Sequence, residues 1–148
     1  KPLNIGIAVA LENGLIVPVI KNADEKNFTE LAKAVNDLAS RARMKELMPE
    51  EVKEGTFTVT NHGIFGSLMG FPIINQPQVA ILAMGAIKKR PVVLNDAISM
   101  RSMMYLTLTF DHRLIDGVLA SRFLQRVVEH LENFNFQKMG EYGVQGLD

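Results

Sequence analysis

The chain has 148 residues, of which 47% are hydrophobic, and its sixteen basic side chains balance sixteen acidic ones. That length suits one domain with its own core, and the even charge provides no basic field for nucleic acid or anionic lipid. Cysteine is absent, which excludes disulfides, thiolate metal sites and a cysteine nucleophile and fits an intracellular protein.

Ile5 to Leu11 and Leu15 to Ile20 are apolar runs joined by Asn13-Gly14, a pair that favours a tight hairpin turn. Asn27 is placed to cap a helix, with Glu30 three residues on. Leu31, Ala34, Val35, Leu38 and Ala42 fall on one face of that helix, which should end near Met44. Pro49 and Gly55 bracket a short polar segment, after which Thr56-Phe57-Thr58-Val59-Thr60 alternates as a strand that Asn61 ends. The stretch from Asn61 to Pro77 holds Gly63, Gly66, Gly70, Pro72 and Pro77 and is long enough to be a functional loop.

Val79 to Ile87 is almost continuously apolar, the pattern of a central strand covered on both faces. Val92-Val93-Leu94 and Ala97-Ile98-Ser99 flank Asn95-Asp96 as a second hairpin. Met103 to Phe110 alternates apolar residues with Tyr105, Thr107 and Thr109 and delivers the chain to His112. From Val118, the positions Ala120, Leu124, Val127, Val128 and Leu131 mark an amphipathic helix to about Phe134, and the tail beyond has no clear pattern. The expected class is α+β, a mixed β-sheet with flanking helices. No apolar stretch approaches the ~20 residues that span a bilayer, so no membrane role is expected.

The chemistry concentrates in Asp111-His112-Arg113-Leu114-Ile115-Asp116-Gly117. An imidazole at a strand end and a carboxylate at a helix start share a junction of rigid elements, and an ordinary His pKa of ~6.5 suits proton transfer near neutrality. Two plainer readings compete: a hydrogen-bonded structural histidine, and Asp116 as a helix N-cap. Lys88-Lys89-Arg90 invites a phosphate, but a solvated loop is the better reading. Met100, Met103 and Met104 fit core filling better than a pocket. His62 and His130 lack partners at metal-ligand spacing, so no metal is expected.

The seven-residue run resembles the active-site motif of the dihydrolipoyl acyltransferases of 2-oxoacid dehydrogenase complexes, relatives of chloramphenicol acetyltransferase. Gly55-Thr56-Phe57-Thr58-Val59-Thr60-Asn61 and Pro72-Ile73-Ile74-Asn75-Gln76-Pro77-Gln78 resemble further stretches of that family, as do Asn4 to Val9 and Gly14 to Val19. The resemblance implies a chloramphenicol acetyltransferase-like fold, N-terminally truncated, with residues 1–148 as the C-terminal portion of the catalytic domain. It implies acyl transfer between dihydrolipoamide and coenzyme A, with His112 as general base, Thr60 steadying the oxyanion and Asp116 as the motif aspartate.

Of these, Asp116 is better suited to orienting the loop than to moving a proton, and Arg113 to locking the turn. The parts of Asn61 and Asp111 stay open, as do the residues that touch coenzyme A. Further implied are a lipoyl group on a separate upstream domain, and a homotrimer within a larger homo-oligomeric core. His112 of one chain would meet Thr60 of a neighbour in that trimer. Dehydrogenase and dihydrolipoamide dehydrogenase components would bind through upstream domains. A bacterial or archaeal cytoplasm ranks ahead of a mitochondrial matrix. An oligomeric scaffold without turnover and an antibiotic O-acetyltransferase are the competing functions.

Overall fold

The computed structural model describes residues 2–135, and the tail without a pattern lies outside them. The chain forms β1 (Ile5–Ile7), β2 (Val9–Leu11), β3 (Gly14–Ile16) and β4 (Val19–Ile20) before the first long helix, α1 (Phe28–Met44). Next come β5 (Phe57–Asn61), β6 (Ala80–Met84), β7 (Lys88–Leu94), β8 (Ala97–Met103), β9 (Leu106–Phe110) and α2 (Gly117–Glu132). Five strands make one mixed sheet in the order β4-β1-β5-β6-β9, with β1, β5 and β6 parallel and the two edge strands antiparallel to them. This is the mixed sheet with flanking helices that the sequence leads one to expect.

Helix α1 starts where its capping residues place it. Asn27 Oδ1 accepts from Glu30 N at 2.9 Å and Glu30 Oε2 accepts from Asn27 N at 2.9 Å, satisfying two N–H groups that the helix cannot. Leu38 and Ala42 are buried and Leu31, Ala34 and Val35 half-buried, so the predicted face is the packed one. At the other end Arg41 grips both Asp37 and Glu51.

The first hairpin differs from the sequence reading. Leu11 pairs with Gly14, so Glu12 and Asn13 form the loop and Gly14, at φ 152°, carries the positive backbone angle. The two apolar runs are also each split into two strands. Ala8 N turns away to bond Val59 O on β5 at 3.0 Å, and buried Pro18 has no N–H to continue a ladder.

The second hairpin is longer than expected, seven residues a side, with Asn95 and Asp96 at φ 50° and 60° as a turn of left-handed residues demands. Consequently Lys88, Lys89 and Arg90 lie on β7 and not on a loop. Arg90 lies over the Tyr105 ring at 4.9 Å and donates to its hydroxyl at 2.8 Å. The run Met103 to Phe110 is likewise broken, with Met103 ending β8 and Leu106 opening β9. Met103 and Met104 line a cavity of about 350 Å³ beside Leu124, Val128 and Leu131 of α2, whereas Met100 is exposed.

Alternation sorts the sheet's two faces. Phe57, Ala80 and Leu108 face α2, where Phe57 and Phe123 rings lie 5.6 Å apart. Ile7, level with Val59, shares a cavity with Val35 and Ala39 of α1. Both helices therefore cover one face, and the other carries Thr58, Thr60, Thr107 and Thr109. Strand β6 is buried from Ala80 to Ala83 and lies inside the sheet, as its composition requires, although β5 is the middle strand.

Candidate active site

Strand β9 ends at Phe110, Asp111 bonds the sheet, and the chain reverses through His112-Arg113-Leu114 into α2. His112 is exposed at the tip of that turn, its ring 5.4 Å from that of Phe110 and tilted by 38°. Asp116 is the N-cap of α2, its Oδ1 accepting from Leu119 N at 2.7 Å. A carboxylate doing that work organises the start of the helix, and it has no contact with His112 that would relay a proton.

Arg113 pairs with Asp111, donating from Nε to Oδ1 at 2.9 Å and from Nη2 to Oδ2 at 2.7 Å. The guanidinium and its backbone N–H hold the Asp111 carboxyl down at about 2, below the ordinary aspartate value of 3.8. The Arg113 guanidinium is raised by the same contact.

Thr60 is half-buried near the C-terminal end of β5. Register places Thr60 level with Ala83 and Thr107, whereas Ala80 pairs with Phe110. Phe110 is thus three strand positions, roughly 10 Å, down the sheet from Thr60 and two strands, roughly 10 Å, across. His112 lies beyond Phe110, so one chain holds its two principal candidates at opposite ends of the sheet.

Among the described residues the Thr60 hydroxyl has no hydrogen-bond partner. Its neighbours on the same face are committed: Thr58 Oγ1, fully buried, bonds Gln78 Oε1 at 2.6 Å, and Thr107 Oγ1 donates to Gly70 O at 2.6 Å. The second bond pins the long loop onto the threonine face. Asn61 Oδ1 accepts from Gly63 N at 2.9 Å and starts that loop's turn. A Cβ on Gly85 would collide with the Leu68 carbonyl, and a Cβ on Gly63 with the backbone of Gly85.

Sequence reasoning missed three of these features. Thr58 with Gln78, the packed pair Gly63 and Gly85, and His62 all depend on contacts distant in sequence. The ring of His62 lies against Gly70, and its Nε2 is buried without a partner. Nothing in residue periodicity marks such contacts. Among the described residues no three His, Asp or Glu side chains gather as a metal site, and no helix is long and apolar enough to cross a membrane.

Residues 1–139 match the sequence profile of the 2-oxoacid dehydrogenases acyltransferase (catalytic domain). The chain belongs to that family of acyltransferase enzymes, and with it goes the chloramphenicol acetyltransferase-like fold. It is 50% identical over 130 residues to a probable dihydrolipoyllysine-residue succinyltransferase component of the mitochondrial 2-oxoglutarate dehydrogenase complex of Schizosaccharomyces pombe. That match covers 88% of this chain and 29% of the relative.

The crystal structure of a probable dihydrolipoamide acetyltransferase from Listeria monocytogenes superposes with a TM-score of 0.89 at 45% identity, covering 92% of this chain and 58% of that one. Dihydrolipoamide acetyltransferase of Azotobacter vinelandii, in which the catalytic roles of a serine, a histidine and an asparagine were investigated, gives 0.87 at 39%, covering 90% and 55%. The chain thus spans under a third of the length of the curated relative and just over half of each solved chain.

Proposed function

We propose that the protein is a dihydrolipoyllysine-residue acyltransferase of a 2-oxoacid dehydrogenase complex, moving an acyl group between dihydrolipoamide and coenzyme A. The observation that carries this reading is the separation of His112 and Thr60 at opposite ends of one sheet, because it makes each chain supply two half-sites. A second copy completes them, His112 from one meeting Thr60 from the next. A homotrimer satisfies that geometry, and the trimers build a larger core. The serine, histidine and asparagine studied in the Azotobacter vinelandii enzyme stand in the same order and at the same separations as Thr60, His112 and Asp116. An asparagine there supports the capping role of Asp116, since Asn caps a helix as well as Asp but carries no proton to relay.

In the reaction His112 takes the proton from the thiol of coenzyme A as its sulfur attacks the thioester carbonyl of acyl-dihydrolipoamide. A free thiol is mostly protonated near neutrality, so a base in contact raises the reactive fraction. The carbonyl oxygen becomes an anion, and the uncommitted Thr60 hydroxyl donates to it. Collapse breaks the carbon–sulfur bond to dihydrolipoamide, whose sulfur takes the proton back from the imidazolium. No acyl-enzyme forms. The lipoyl group arrives on an upstream domain, and the dehydrogenase and dihydrolipoamide dehydrogenase components bind through upstream domains as well. Relatives from mitochondria and from bacteria leave a bacterial or archaeal cytoplasm and a mitochondrial matrix both compatible with this role.

Complementation in the full-length protein tests the shared site. His112→Ala alone abolishes turnover, and Thr60→Val alone slows it by roughly two orders of magnitude, the loss typical of one oxyanion donor. Co-assembled, the two variants recover activity, because a site between an intact His112 and an intact Thr60 exists only across chains. Mixed assemblies no faster than Thr60→Val alone would sink the reading.

A further inference from the structure

His112 sits between two residues that bond to each other across it. The Asp111 carboxylate takes three donors: Arg113 Nε at 2.9 Å, Arg113 Nη2 at 2.7 Å and the Arg113 backbone N–H at 3.0 Å. Its backbone is committed as well, the N–H donating to Val79 O at 2.8 Å and the carbonyl accepting from Leu114 N and Ile115 N at 3.0 and 2.9 Å. Asp111 therefore ties sheet, turn and guanidinium together, and the residue enclosed by those bonds is the base.

The plainer account is an exposed ion pair without consequence. The Arg113 side chain is 84% exposed, and such pairs contribute little to stability. Two features argue for more. The Asp111 side chain is only 20% exposed, and it is held by the parallel two-pronged contact that a guanidinium makes and an ammonium does not. What this clamp adds is a fixed direction for the turn, and transfer rates fall steeply when a reacting group is misplaced by even 1 Å or so.

We propose that Asp111 is a positioning residue for acyl transfer, its carboxylate gripping Arg113 so that the turn presents the His112 imidazole to the thiol in one direction. This rests on the reading of His112 as the base. Neither Asp111 nor Arg113 touches the reacting atoms in this role. Phe110, against the imidazole from the strand side, limits the ring from the other direction.

The test uses the full-length, assembled enzyme with Asp111→Asn, which keeps the shape and removes the charge, and Arg113→Lys, which keeps the charge and removes the fork. Both variants should lose about tenfold or more in kcat, with KM for coenzyme A and for dihydrolipoamide within about twofold of the parent. Assembly mass should stay unchanged, and the thermal midpoint should fall by no more than a few degrees, the loss of one partly exposed ion pair. A kcat within about twofold of the parent in either variant overturns the proposal, and so does a loss that comes with a midpoint lowered by more than those few degrees or with a broken assembly. His112→Ala measured alongside separates the two readings: turnover in that variant removes the base itself, whereas its inactivity beside parent-like Asp111→Asn and Arg113→Lys removes only the clamp.

Discussion

The two ends of the β5-β6-β9 sheet are built on different principles. At the His112 end the turn is closed by neighbours in sequence, Asp111 with Arg113 and Asp116 with Leu119, so the proposed base is organised within its own short segment. At the Thr60 end, order depends on a loop folded back from far along the chain and pinned by Thr107 on Gly70 and by the close packing of Gly85. That loop also leaves Phe71 77% and Ile73 91% exposed, a concentration of apolar surface unusual for a chain on its own. In the proposed shared site one half is self-contained, and the other presents the apolar surface that the proposed second copy would cover.

The contrast breaks most readily at the Thr60 end. In Gly85→Ala the new methyl group collides with the Leu68 carbonyl, a backbone atom that moves only if the loop does. The cost of such overpacking is about 1–3 kcal/mol, enough to lower the thermal midpoint by several degrees. Turnover should fall with it, because Thr60 loses the loop that lies beside it. A Gly85→Ala protein with parent-like midpoint and kcat would show that the loop is not held at Gly85.

A smaller effect is expected at the other end. Asp116→Ala removes the side-chain acceptor for Leu119 N and should destabilise α2 by about 1 kcal/mol, while Asp116→Asn, which still caps, should leave both stability and turnover close to the parent. Thermal unfolding and steady-state rates on the two variants check this. A large rate loss in Asp116→Asn at unchanged stability would restore a proton-carrying role for the carboxylate.

This difference between the ends also explains what the sequence discloses. The Asn27 and Glu30 cap, the Asn95-Asp96 turn and the strand-turn-helix around His112 are local patterns, and each has its place in the structure where residue order puts it. The bond from Ala8 N to Val59 O is not local: β1 stays paired with β4 in the hairpin and also lies beside β5, some fifty residues on. Thr58 with Gln78 and His62 under Gly70 are of the same kind. Thr60 is a candidate only through the family resemblance of its strand, and its distance from His112 follows from strand register, which no periodicity encodes; the same resemblance alone points to a neighbouring chain.

Acid unfolding sharpens the comparison at its finest level. The Asp111 carboxyl is held down at about 2 by Arg113, against 3.8 for an ordinary aspartate. A group whose folded value is lowered binds its proton more readily in the unfolded chain, so its stabilising contribution is present above the ordinary value and fades as pH falls toward 2. Asp111→Asn has no such contribution at any pH. The stability gap between the parent and this variant should therefore be constant above about pH 5 and close between about pH 4 and 2, which denaturant unfolding at a series of pH values can follow. Glu51, held at about 2 by Arg41, titrates in the same window in both proteins and cancels from the difference. A gap that persists unchanged at pH 2 would mean that the difference comes from the introduced amide and not from the lost charge, and would leave the two-pronged ion pair without a part in holding the His112 turn.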